Sequence, residues 1–324
     1  MSSPLLRVRN LRVEFALRGG QTLRAVDDLS FDVQPGETLG IVGESGCGKS
    51  TLARAILRLT PIHSGSLEFD GKRYEQLTPR QMQPTRRAMR LVFQDPLASL
   101  NPRWTIRDAV REPLEIFEPA MSRRERDSEV ERWLDRVGLG AGYLARYPHE
   151  LSGGQNQRVS IARALIGGPR LVICDESVSA LDVSIQAQIL NLLADLQRET
   201  GIALLFISHD LSVVRHISRS LLVMYLGRMV EYGAAADTFA NPRHPYTRTL
   251  LDAVPIADPA RERARRLATG PTVGEVKGEA GSTMHSLSGC SYRPRCRSAT
   301  ALCKITTPAL QHGVACHHAL TPSL

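Results

Sequence analysis

No stretch of this 324-residue chain approaches the ~18 consecutive apolar residues that a membrane span needs. The longest apolar run, 202–207, has the length of a buried strand. The opening residues, Met1 to Arg7, lack the apolar core of a signal peptide. A cytoplasmic chain is expected, one that can still sit on a membrane partner. No internal repeat of the core is present, so one functional unit is expected. Basic residues crowd the late chain, at Arg261, Arg263, Arg265, Arg266, Arg293, Arg295, Arg297 and Lys304, and the formal net charge is +8. Anionic headgroups or nucleic acid could attract such a surface. No aromatics interleave with these charges as a base-stacking platform requires, so a mixed solvated surface is the preferred reading. The six cysteines include no C-x₂-C pair. Cys47 and Cys174 stand alone. Cys290, Cys296, Cys303 and Cys316 share the tail, with five, six and twelve residues between them. In a reducing compartment such a group points to a metal before disulfides. Zinc sites usually carry a tight pair, and four thiolates suit an iron–sulfur cluster equally well.

What is present starts with Gly43-Glu44-Ser45-Gly46-Cys47-Gly48-Lys49-Ser50-Thr51. An apolar run, Leu39 to Val42, precedes it, and a helical pattern, Leu52, Ala55, Ile56 and Leu59, follows. Strand, glycine-rich turn and helix are the context that a G-x-x-x-x-G-K-[ST] phosphate loop requires. The glycines let backbone amides approach an anion, and the helix adds its positive dipole end. Lys49 suits the β- and γ-phosphates, and the Ser50 hydroxyl suits Mg²⁺.

Elsewhere the chain alternates strands with helices. Leu6 to Phe15 and Leu29 to Val33 read as strands, with a short one at Ser66 to Phe69 and an apolar run at Leu91 to Phe93. From Gln94 to about Leu151 the pattern turns helical, with Val130, Trp133, Leu134 and Val137 on one face. Ser152 can cap the helix from Gln157 to Ile166, a second N-terminus suited to an anion. Leu171 to Cys174 is a fully apolar strand ending at Asp175-Glu176, and Ala203 to Ile207 ends at Ser208-His209-Asp210. Leu221 to Leu226 and Arg228 to Glu231 are the last strands. A largely parallel sheet, covered on both faces, is expected. The phosphate loop, Gln94, Asp175-Glu176 and His209 each follow a strand's carboxyl end, where such sheets bind ligands.

In this order the segments resemble the nucleotide-binding subunits of ABC transporters. Gly43 to Thr51 matches Walker A and Gln94 the Q-loop. Leu151-Ser152-Gly153-Gly154-Gln155 matches the signature, Leu171 to Asp175 Walker B, Ser179-Ala180-Leu181-Asp182 the D-loop, and His209 the switch histidine. Phe93 to Pro102, Asn241 to Thr247 and the tail from Gly289 to His317 resemble the ATPases of dipeptide/oligopeptide permeases. Cys174 to Asp182 is most similar to the second, "F", subunit of dipeptide permeases. Ser177 departs from a common Pro, and Asn156 from a common Gln. Neither removes a reacting group.

The resemblance implies an α/β fold: a P-loop NTPase core of ABC type over 1–254, with an inserted helical subdomain at about 97–168. A small cysteine-rich extension would occupy 255–324. It implies an ATPase in which Glu176 is general base, His209 contacts the γ-phosphate, and Lys49 neutralises charge. Ser50, Gln94 and Asp175 would hold Mg²⁺. Phe15 would stack on adenine. Ser152, Gly153, Gly154 and Gln155 would act on ATP held by a second, homologous and non-identical subunit. Two transmembrane permease subunits and an external binding protein complete the expected import complex, at the cytoplasmic face of the inner membrane. Cys290, Cys296, Cys303 and Cys316 would bind a [4Fe–4S] cluster; His317 and His318 are alternative ligands, with a bystander role the preferred reading. Di- or oligopeptides are the expected cargo; nickel chelates, glutathione or another peptide-like solute are the other readings. A soluble ATPase acting on nucleic acid or ribosomes is disfavoured, because neither a tandem core nor a long coiled-coil insert is visible.

Overall fold

The computed structural model describes residues 3–17, 20–179, 181–254, 263 and 288–320. The expected domain boundary at 254/255 and the basic residues Arg261, Arg265 and Arg266 abut or fall outside them, as does Ala180 of the D-loop.

Two sheets organise the fold. The larger has β3 (Thr38–Val42), β6 (Met89–Val92), β7 (Leu171–Asp175), β8 (Ala203–Ile207), β9 (Ser220–Tyr225) and β10 (Arg228–Ala234), in the order β10-β9-β3-β8-β7-β6. All neighbours are parallel except β9 and β10, which form an antiparallel pair. The smaller is antiparallel, in the order β2-β1-β4-β5, from β1 (Leu6–Ala16), β2 (Thr22–Val33), β4 (Ser64–Phe69) and β5 (Lys72–Arg73). This second sheet is not part of the sequence expectation. β2 begins seven residues before the apolar run at Leu29, and its first half mixes polar with apolar residues, which hides it from the sequence pattern. Asp27, in that half, is buried and pairs with Arg12 and Arg228.

Side chains on the central strands alternate between two cores, as a pleated strand buried on both faces demands. Leu39, Ile41, Leu171, Ile173, Leu205, Ile207, Leu222 and Met224 face the smaller sheet and α1 (Lys49–Ile56). Val42, Val172, Cys174, Leu204, Phe206, Leu221 and Val223 face the other core. The chain from 83 to 165 supplies α2 (Gln83–Ala88), α3 (Pro96–Ser99), α4 (Ile106–Phe117), α5 (Arg123–Arg136) and α6 (Gly153–Leu165). Apolar residues of α4, α5 and α6 join that second core rather than closing one of their own. The helices α7 (Val183–Thr200), α8 (Leu211–Ile217), α9 (Ala235–Ala240) and α10 (Pro245–Asp252) follow. Gly201, in the left-handed region at φ 68°, ends α7 as the sequence indicates.

The tail returns to the cassette. Val314 bridges Glu231, Ala315 N–H donates to the Val230 carbonyl at 2.9 Å, and Tyr232 N–H donates to that of Gly313 at 2.8 Å. The cysteine-bearing segment is thereby fixed along β10.

Candidate functional site

The phosphate loop emerges from β3, whose five residues are all buried. Gly48 precedes α1 at φ 106°, and a Cβ there would lie 2.0 Å from the Ala25 carbonyl of β2. Only glycine fits that approach. Gly48 also offers no side-chain cap, so the first amides of α1 stay available to an anion. Lys49 is 4% exposed, and its ammonium donates to the carbonyls of Gly43 and Glu44 at 2.8 and 2.9 Å. Burial pushes the Cys47 thiol up, which keeps it neutral inside the loop. Ser45 and Gly46 form its exposed tip.

Ser50 Oγ donates to Asp175 Oδ1 at 2.9 Å, joining the loop to the end of β7. Burial pushes the Asp175 carboxyl up; the Ser50 hydrogen bond opposes this, and the Glu176 charge adds to it. Glu176 follows at φ 47°, a backbone region that costs a residue with a Cβ about 1–3 kcal/mol. Its N–H donates to the Ile207 carbonyl of β8 at 3.0 Å, which fixes the turn. Gln94 Nε2 donates to Glu176 Oε2 at 3.0 Å, and His209 Nδ1 lies 3.3 Å from Glu176 Oε1. Three strand ends of the parallel sheet therefore converge on one carboxylate.

The signature sits at the start of α6. Ser152 and Gln155 form a reciprocal capping box, with Ser152 N–H donating to Gln155 Oε1 at 3.0 Å. The helix therefore begins at Gly153, four residues before the Gln157 of the sequence expectation. Ser152 and Gly153 are exposed; Gly154 is buried, and a Cβ on it would meet Ile185 Cγ2 of α7 at 2.6 Å. Asn156 is buried, and its amide donates to the carbonyls of Pro148 and Leu151 at 2.9 and 3.3 Å. In the D-loop, Ser179 Oγ donates to the Glu176 carbonyl at 2.9 Å, Leu181 packs near Gly153, and Asp182 precedes α7. Phe15 lies near the end of β1 and is 39% exposed. It pairs with Leu23, two residues along β2 from the Ala25 that touches Gly48.

Two loop contacts have no signal in the local sequence. The Tyr246 hydroxyl accepts the Glu44 N–H at 2.9 Å, and Arg295 Nη1 donates to both Glu44 carboxylate oxygens at 2.8 and 2.9 Å. These partners are 202 and 251 residues away in the chain.

The tail cysteines, with His244, His317 and His318, line one small closed space. All four are free thiols. Burial pushes those of Cys290, Cys296 and Cys316 up, and neighbouring cysteines add to it. His317 and His318 bond the Thr306 carbonyl and the Thr300 hydroxyl instead, at 2.8 and 2.9 Å. Among the described residues no three His, Cys, Asp or Glu groups are arranged to hold a metal ion.

Comparison with known proteins agrees with this geometry. Residues 26–179 match the family described as ABC transporter. Residues 230–303 match the oligopeptide/dipeptide transporter C-terminal region. The oligopeptide transport ATP-binding protein OppF of Escherichia coli K12 is 48% identical, over 96% of this chain and 95% of that protein. The glutathione import ATP-binding protein GsiA of Shigella flexneri serotype 5b is 52% identical, over 82% of this chain but 43% of its own length. A dimeric ATP-binding cassette solved in a post-hydrolysis state with ADP and Pi superposes with a TM-score of 0.66. It is 28% identical and covers 71% of this chain and 98% of its own. The chain belongs to the ATP-binding subunits of ABC transporters, in their oligopeptide transport branch.

Proposed function

We propose that this chain hydrolyses ATP to drive import of di- or oligopeptides through separate permease subunits. The observation behind the reading is the convergence of Gln94 and His209 on Glu176, beside the Ser50–Asp175 bond. The amides of α1 and Lys49 receive the β- and γ-phosphates of ATP. Glu176 takes a proton from the attacking water, and His209 contacts the γ-phosphate. Ser50, Asp175 and Gln94 supply hard oxygen donors of the kind Mg²⁺ takes, and the raised Asp175 carboxyl is a charge such a cation would settle. The ion would polarise the phosphate oxygens. Phe15, exposed on the sheet that touches Gly48, stacks on adenine.

Ser152 and Gly153 stand exposed at a capped helix start and close over ATP held by a second, homologous subunit. Closing and opening of that pair is the two-state element that moves the transporter. Among the described residues no helix is long and apolar enough to cross a membrane. The chain works as a peripheral subunit on the cytoplasmic face, with two permease subunits and an external binding protein. The helical subdomain of about 97–168 provides the landing place of the permease subunits. Leu59, Phe93, Ile116 and Phe117 line a cleft of about 300 Å³ against α4 and α6, with Arg163 and Glu112 at its wall. Three of these four apolar residues are exposed. One helix of a permease's cytoplasmic loop is the occupant that fits.

The four tail thiols line one space and are unpaired with each other; Cys290, Cys296, Cys303 and Cys316 are the donor set of a [4Fe–4S] cluster by their chemistry, although the described residues do not place them as a formed metal site. It would staple a segment with little apolar surface. Anaerobic purification should give about four iron and four sulfide per chain; stoichiometric zinc without iron rejects the cluster.

Transport of labelled peptides by the complex reconstituted with its permease subunits tests the whole reading. ATP-dependent uptake supports it, and uptake of glutathione alone moves the cargo to the branch that the GsiA likeness suggests. ATP turnover with no transport of either, and stable recovery with DNA or ribosomes, would overturn the import reading.

A further inference from the structure

We infer that Arg295 is a positioning residue for the phosphate loop, so that the cysteine-bearing turn of the tail sets the affinity for ATP. The inference rests on the reading that Gly43 to Thr51 binds ATP.

Glu44 is the second residue of the loop, and it is held from two sides, by Arg295 of the tail and by Tyr246 of α10. Arg295 grips both carboxylate oxygens through Nη1, and the Tyr246 hydroxyl takes the backbone N–H. Lys49 meanwhile donates to the Glu44 carbonyl at 2.9 Å. Every polar group of Glu44 is therefore engaged, and the loop's path between Gly43 and Gly46 depends on a side chain 251 residues away. Arg295 cannot move freely. It ends the 3₁₀ turn Arg293–Arg295, its N–H donates to the Tyr292 carbonyl at 3.0 Å, and the Cys296 N–H donates to the Arg293 carbonyl at 3.2 Å. Tyr292 is buried against Tyr225 and Tyr246, with ring centroids 5.2 and 5.4 Å apart. Cys290 and Cys296 flank this turn, and Cys290 N–H donates to the Cys303 carbonyl at 2.8 Å. Whatever fixes the four thiols fixes the turn, and the turn holds the loop through one guanidinium.

A charge-assisted bidentate contact that is only partly exposed should be felt in binding more than in chemistry, because Glu44 touches no reacting atom. The reverse must also hold. If the turn favours the ATP-ready loop, bound ATP favours the ordered turn by the same factor.

The test uses the full-length chain and Mg-ATP titration, with kcat measured at saturation. Wild-type binding must be seen first; if it is absent, the ATP reading fails and not this inference alone. With wild type binding, Arg295→Gln and Glu44→Gln should each weaken ATP about 3- to 30-fold, and in Arg295→Gln kcat should change less than about twofold. The double variant should be no weaker than either single one. Arg295→Lys should restore part of the loss, since lysine keeps the charge but not the fixed planar placement of Nη1 between the two oxygens. Arg293→Gln, on the same turn but bonded to the Ser288 and Lys304 carbonyls and not to Glu44, should weaken ATP less than Arg295→Gln. Hydrogen exchange at Arg295 and Cys296 should slow when ATP binds to wild type and not to Glu44→Gln. Glu44→Gln leaves the tail sequence intact, so it answers even if an Arg295 variant folds poorly. Unchanged affinity in Glu44→Gln, additive losses in the double variant, or a turn whose exchange ignores ATP would each overturn the inference.

Discussion

Gln94 reaches Glu176 across the carboxyl ends of β6 and β7, its amide donating to the carboxylate at 3.0 Å. The bond ties the segment that borders the apolar cleft to the proposed general base. Glu176→Gln should keep ATP binding and lower turnover by about 10²–10⁴. Single-turnover hydrolysis with bound ATP checks this, and retention of most activity would remove Glu176 from its role.

Lys49 is buried on its own loop carbonyls, and its ammonium is the cation that must meet the phosphates. Lys49→Ala should weaken ATP by about 1.5–3 kcal/mol, the scale of a hydrogen bond to a charged group. Equilibrium titration with a fluorescent nucleotide measures the difference.

Gly154 leaves no room for a methyl group, because Ile185 Cγ2 would lie 2.6 Å from it. Gly154→Ala should destabilise the chain by about 1–3 kcal/mol through overpacking. Adding Ile185→Val should not help, since valine keeps a branched Cβ, whereas Ile185→Ala should recover part of the loss. Urea midpoints of the three variants give the comparison.

Ile116 is 50% exposed on α4 and faces the cleft assigned to the permease. Ile116→Asp should leave the ATPase of the isolated chain near wild type and abolish co-purification with the permease subunits. Intact assembly would move the docking surface elsewhere.

The catalytic strand ends are legible in the sequence because each is a local pattern. Leu171 to Asp175 is apolar up to a carboxylate, and Ala203 to Ile207 is apolar up to Ser208-His209. Parallel strands buried on both faces read as continuous apolar runs, so the larger sheet is recoverable. The smaller sheet is not, since β2 interrupts its apolar pattern with Asp27 and Asp28, and Asp27 pairs with Arg12 on the neighbouring strand and with Arg228, 201 residues on. The register of β1 on β2 also shifts three times between Val8 and Glu14, which breaks simple alternation. The hold of Arg295 on Glu44 lies beyond any window, because nothing near Glu44 announces a partner in the tail. Asn156 is the reverse case: it departs from a common glutamine, and its short amide fits two carbonyls inside the fold.

Glu176 holds a left-handed backbone, φ 47°, that glutamate does not favour. Glycine there would relax the turn, and Glu176→Gly should melt higher than wild type in a thermal scan. It would also be inert. Selection for a sturdier molecule and selection for a working one therefore pull this single position in opposite directions, and a screen for heat resistance alone would tend to discard the motor.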